Sequence, residues 1–107
     1  FKMVGAIKGK SYKTNKLGRF GYISLTAQED TLICKKGMSI KGHEFHYWDS
    51  TCNGQSFKAQ KPMRKKNWLC INSINNLFAG YPHLHYYSNI DFASNFIHKC
   101  NDYKKGR

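Results

Sequence analysis

Residues 39–51 read SIKGHEFHYWDST. Aromatic and β-branched side chains alternate there with polar ones, which is the pattern of a strand. Successive side chains of a strand point to opposite faces. His43, Phe45 and Tyr47 are therefore expected on one face, and Glu44, His46 and Trp48 on the other. Upstream, residues 20–25 (FGYISL) carry the same alternation and predict another strand. Gln28-Glu29-Asp30 reads as a turn, and 31–34 (TLIC) as a strand stopped by Lys35-Lys36-Gly37. Downstream, Asn53-Gly54 is a hairpin signal, with 56–59 as the returning strand. A basic loop at 61–66 leads to two more expected strands, 68–74 and 77–87, joined at Asn75-Asn76.

After Ser88-Asn89 the period changes. Ile90, Phe92, Phe96, Ile97 and Cys100 fall at helical spacing and predict a C-terminal helix. Ser88 or Asn89 suits its N-cap, and Asp91 suits the positive first turn. The tail, 104–107, is expected to fray. Five or six strands with a single helix leave one sheet face poorly covered, which points to part of something larger. Phe1 is not a natural start residue, so the numbering is expected to begin inside a longer chain.

The chain has 107 residues, 40% hydrophobic and 22% charged, a globular balance for one domain or part of one. No apolar run approaches the ~20 residues that span a bilayer, and no secretory leader is visible. The net charge is +12. Its lysines and arginines are spread along the chain, with one tight group at Lys61, Arg64, Lys65 and Lys66 beside Pro62. The charge therefore reads as a solvated surface rather than as a nucleic-acid site. The rival reading is a small basic nucleic-acid-binding module with Tyr47, Trp48, Tyr86 and Tyr87 as stacking platforms.

Cys34, Cys52, Cys70 and Cys100 form no CxxC pair. Free thiols in a reducing cytoplasm are expected, with Cys70 in the core. The histidines carry the chemical interest. His43 and His46 lie in GHEFH, and His83 and His85 in HLH. Two histidines at alternate strand positions share a face, about 7 Å apart. Such a pair suits structural hydrogen bonding or acid–base chemistry. With Glu44 or His46 it also suits a metal-binding β-module, although no metal site is assigned. No Gly-x-Ser-x-Gly elbow and no phosphate-binding GxxxxGK-[ST] loop occur.

Three segments together carry a resemblance: 3–25, MVGAIKGKSYKTNKLGRFGYISL; 40–51, IKGHEFHYWDST; and 79–97, which opens AGYPHLHYYSN and continues into the helix with Phe92 and Phe96. In order and spacing they are similar to the C-terminal part of cobyrinic acid a,c-diamide synthases. The resemblance implies that 1–107 is the C-terminal portion of an α/β, class I glutamine amidotransferase-like domain, strand-rich with a final helix. It implies a cytoplasmic, glutamine-hydrolysing ligase of cobalamin biosynthesis that converts the a and c carboxylates of cobyrinic acid to amides. A close relative amidates a nickel sirohydrochlorin. ATP and Mg²⁺ would act in an N-terminal synthetase domain, and the nucleophilic Cys of a Cys-Gly-Gly elbow would lie outside this chain. His83, the first His of YPHLH, matches the family's catalytic histidine. Many related amidotransferases place Glu two residues later, where this chain has His85. His43, Glu44, His46 and His85 are carried as pocket or orienting residues. The stretch alone is expected to be inactive and to self-associate.

Overall fold

The computed structural model describes residues 5–14, 20–62 and 66–106. The start at Met3 and Val4, and the basic Lys16, Arg19, Arg64, Lys65 and Arg107, lie outside them. The chain is a strand-rich α/β arrangement with a C-terminal helix. The strands are β1 (Ser11–Lys13), β2 (Phe20–Ala27), β3 (Ser39–Phe45), β4 (Trp48–Ser50), β5 (Phe57–Gln60), β6 (Asn67–Cys70), β7 (Asn72–Ile74), β8 (Leu77–Ala79) and β9 (His83–Leu84). A 3-10 turn at Tyr86–Ser88 precedes helix α1 (Asp91–Lys105).

The principal sheet has five strands in the order β6-β5-β2-β3-β9, with each neighbouring pair antiparallel. Two small ribbons, β1-β4 and β7-β8, flank it. The alternation seen in 20–25 decides which side of this sheet is dry. Ile23, Leu25 and Ala27 of β2 are buried with Ile40 of β3, Phe57 and Ala59 of β5 and Cys70 of β6. Ile33, Cys34, Ile71 and Phe92 close over them from outside the sheet. Phe57 is fully buried and meets Phe78 edge-on at 5.8 Å and Phe92 at 6.2 Å. Full burial of such a side chain stabilises by about 1.5–3 kcal/mol. The opposite face carries exposed Tyr22, Phe45, Lys58 and Leu69. The single helix leaves that face open, as the element count predicts.

Residues 31–34 do not form the expected strand. The Thr31 amide donates to the Cys34 carbonyl (2.8 Å), and the Thr31 hydroxyl accepts from the Ile33 amide (3.3 Å). This local bonding curls the segment and turns Ile33 and Cys34 inward. Nor does Asn53-Gly54 make a hairpin. β5 pairs with β2 and β6 and not with β4. Gly54, at φ +94°, instead bridges to Ile71, and a Cβ there would sit 2.2 Å from the Ile71 carbonyl. The glycine serves close backbone approach rather than a tight turn.

Ile71 itself has φ +67°, a left-handed conformation that is costly for a β-branched side chain. It breaks the expected strand 68–74 into β6 and β7. The long strand 77–87 is likewise broken, at residues 80–82. The turn at Asn75-Asn76 does form, with Asn75 at φ +54°.

The helix begins where its spacing predicts. Asn89 Oδ1 accepts from the Asp91 amide at 3.2 Å. Of the five apolar positions, however, only Phe92 is buried. Ile90, Phe96 and Ile97 are 62%, 47% and 58% exposed, so the helix reaches the core through Phe92 near its start. Lys104 and Lys105 remain helical rather than frayed.

Candidate functional site

The strand 39–51 is interrupted after Phe45, and its two faces separate the predicted site residues into two groups. On the open face His43 is the register partner of Tyr22 on β2 and of His83 on β9. The three rings form a row across the sheet. Tyr22 and His43 have centroids 6.1 Å apart, and His43 meets His83 edge to face at 5.6 Å. His85 follows on the same side and sets its ring 6.5 Å from Tyr87. His83 and His85 are exposed, and His43 is half-buried. Together with Ser24, Lys41 and Pro62 these residues line an open groove of about 700 Å³. Among the described residues no side-chain hydrogen bond engages His43, His83 or His85, so their ring nitrogens remain available to a partner.

β9 reaches this position by close packing. Gly42 lies opposite Leu84, and a Cβ at Gly42 would stand 2.7 Å from the His83 carbonyl oxygen and 3.0 Å from Leu25 Cδ1. Glycine is what lets β9 sit flush on β3. On its C-terminal side β9 is tied down by hydrogen bonds. The His85 amide donates to the Lys41 carbonyl (2.8 Å), the Lys41 amide to Ser88 Oγ (3.0 Å), and the Asn89 side-chain amide to the Ser39 carbonyl (2.9 Å).

On the covered face stands Glu44, 1% exposed, with His46 Nε2 3.5 Å from its Oε2. His46 Nδ1 is 2.5 Å from the Trp48 carbonyl oxygen. A carbonyl can only accept, so Nδ1 is the donor and Nε2 is the atom that meets the carboxylate. The His46 ring stacks on Tyr81, with centroids 4.1 Å apart and planes 10° from parallel. Neither carboxylate oxygen of Glu44 is hydrogen-bonded among the described residues. Glu44 and His46 therefore do not join the His83 group, and Glu44 cannot orient His83 by contact.

Tyr22 and Tyr81 were not singled out as site residues from the sequence. Tyr22 was readable only through register, which pairs it with His43. Tyr81 had a local signal, its place in the Tyr-Pro-His run of residues 81–83.

No group of three or more His, Cys, Asp or Glu side chains converges as a metal-binding set among the described residues. None of the four cysteines is in a disulfide, and none lines the histidine groove. Burial pushes the Cys34 thiol above its ordinary pKa, Asp30 adds to this, and a hydrogen bond from Thr31 opposes it. A thiol held neutral in this way is a poor nucleophile. A larger cleft of about 1290 Å³ is lined by Gly9, Lys10, Trp48, Cys52, Asn72 and Tyr81 among others, and contains no histidine. The glycines of 5–9 run into β1, not into a helix N-terminus, so these residues do not fit a nucleotide phosphate. No helix is long and apolar enough to cross a membrane. Tyr47, Trp48, Tyr86 and Tyr87 are all exposed, but they stand on separate segments: Tyr47 at the corner before β4, Trp48 at the start of β4, and Tyr86 and Tyr87 in the 3-10 turn.

Comparison with known proteins agrees with the resemblance in the motifs. The chain is 40% identical to a cobyrinate a,c-diamide synthase of Listeria innocua over 83% of its length, covering 21% of that protein. It is 30% identical to one from Caldanaerobacter subterraneus, over 96% of the chain and 23% of the relative. To one from Priestia megaterium it is 31% identical over its whole length, or 24% of the relative. The chain thus spans about a quarter or less of these relatives. No family model and no solved structure matches it.

Proposed function

The chain belongs to the cobyrinate a,c-diamide synthase family, and on that premise we propose that it is the histidine-bearing part of a glutamine amidotransferase domain within a larger amidoligase. The observation that carries this reading is His83 itself. It stands exposed on the rim of an open groove with no hydrogen-bond partner among the described residues, held by a short strand against His43. An acid–base histidine that serves a thiol from elsewhere in the protein needs that accessibility.

In the proposed reaction His83 takes the proton of a cysteine thiol outside this chain. The sulfur attacks the side-chain amide carbon of glutamine, and a carbon–sulfur bond forms. The carbon–nitrogen bond breaks as His83 gives its proton to the leaving nitrogen, releasing ammonia. His83 then activates water, which cleaves the thioester to glutamate and restores the thiol. The ammonia amidates the a and c carboxylates of cobyrinic acid. ATP and Mg²⁺, which activate those carboxylates in the expectation above, are assigned to other parts of the full-length protein. The chain's net charge of +12, with Lys41 on the groove wall, favours polyanionic substrates nearby. The isolated stretch is inactive in this reading.

The test is made in the full-length protein. His83→Ala is expected to lower glutamine-dependent amidation by ~10²–10⁴-fold and to spare the reaction fed with ammonia. Near-normal glutamine turnover, or equal loss of the ammonia-fed reaction, overturns the assignment.

A further inference from the structure

We propose that Tyr81 and His46 are positioning residues for His83, with Glu44 as the buried anchor of the pair. The inference rests on the catalytic reading of His83 above and adds residues which that reading does not use.

β9 has only two residues, and its attachments are unequal. Beyond Leu84 the backbone is tied to β3 through His85, Ser88 and Asn89. Before His83 the chain is irregular at residues 80–82, and the fixed point there is the Tyr81 ring, stacked on His46 at 4.1 Å. Pro82 joins Tyr81 to His83. Its ring fixes its own φ and holds Tyr81 in extended backbone, so little torsional freedom separates the two side chains. Where the Tyr81 ring goes, the His83 backbone follows.

His46 is in turn held at Nδ1 and faced at Nε2. Nδ1 donates to the Trp48 carbonyl at 2.5 Å, and Nε2 faces Glu44 at 3.5 Å. The second contact is attractive only with a proton on one of the two atoms. A carboxylate that is 1% exposed and otherwise without a hydrogen bond among the described residues is a costly way to fix one imidazole. The cost makes sense where the plane of that ring matters. The result is a linked path from Glu44 through the His46 and Tyr81 rings, and then through the Pro82 backbone, to His83.

A misplacement of about 1 Å in a reacting group can cost ~10²-fold in rate. In the full-length protein, Tyr81→Leu is therefore expected to lower kcat for glutamine hydrolysis by up to about 10²-fold, with KM for glutamine changed less than about threefold. Tyr81→Phe keeps the stack and is expected to stay within about threefold of the parent. The ammonia-fed reaction reports that the rest of the protein is intact, a thermal melt of each variant is the control for folding of this part, and both should be unchanged. His46→Gln is the second test. It keeps a donor toward Glu44, at the place of Nε2, but removes the ring and its stack on Tyr81, and the same loss is expected. Full glutaminase turnover in Tyr81→Leu and His46→Gln overturns the proposal. So does damage in Tyr81→Phe equal to that in Tyr81→Leu, or parallel loss of the ammonia-fed reaction in both variants. If His83→Ala is inert the catalytic reading fails. If His83→Ala is inactive while the Tyr81 and His46 variants are normal, only the positioning role fails.

Discussion

His43 and His83 are partners across the antiparallel β3-β9 pair, and their rings meet edge to face with centroids 5.6 Å apart. Each can steady the other, but the proposed acid–base role falls to His83 alone. His43→Ala is expected to reduce glutamine-dependent turnover of the full-length protein by about tenfold or less, far below the loss for His83→Ala. His85→Ala is expected to be milder still, since its ring meets Tyr87 rather than His83. Steady-state kinetics of the three variants check the order.

The glycine beneath His83 gives a steric prediction. Gly42→Ala drives a methyl into the His83 carbonyl at 2.7 Å, and backbone cannot swing away as a side chain can. A cost of about 1–3 kcal/mol is expected, together with reduced glutaminase activity as β9 lifts. Urea unfolding and turnover should change together.

The two histidine pairs were legible in the sequence because strand alternation is a local property. GHEFH put His43 and Glu44 on opposite faces, and the register of β2, β3 and β9 keeps them there. The main strands and the helix start were legible for the same reason. What failed depended on distant partners. Asn53-Gly54 looks like a hairpin, yet Gly54 is needed against Ile71, far along the chain. Residues 31–34 have strand composition, but Thr31 and Cys34 bond to each other instead. The His46–Tyr81 stack joins segments separated by five strands in the chain, and no spacing rule could have announced it.

The thiols should separate by exposure. Cys100 is exposed and Cys52 partly so, while Cys34 and Cys70 are buried. In the native chain Cys100 is expected to react first with a disulfide reagent and Cys52 more slowly. Cys34 and Cys70 should require unfolding, and four free groups should be found in denaturant. Two or fewer would contradict the unbonded state.

Cys34 also sets a direction with pH. Its folded pKa is raised by burial, so the folded state holds the thiol proton more tightly than the unfolded one. The resulting stabilisation is complete below the unfolded thiol value and is lost as pH rises through the folded one. Cys34→Ala should therefore flatten the fall in stability above roughly pH 8.5. Thermal melts across that window provide the check.

The helix offers a contrast within one element. Phe92 is fully buried and Phe96 is 47% exposed. Phe92→Ala is expected to cost about 3–5 kcal/mol. Phe96→Ala should fall within about 0.5 kcal/mol in the isolated stretch. Equal effects would mean that the helix packs along its length.

That single anchorage has a consequence for motion. α1 has 15 residues, about 22 Å of helix, and Phe92 and the Asn95–Ile33 bond (2.9 Å) secure only its beginning. Beyond Asn95 its amides are guarded by the helix's own hydrogen bonds and by little burial. Amide exchange should therefore run as a gradient, slow beside Phe92 and approaching solvent rates near Lys104. The far turns, exposed at Ile97 and Cys100, should open more often than the first, while β3 and β9 keep the histidines in register.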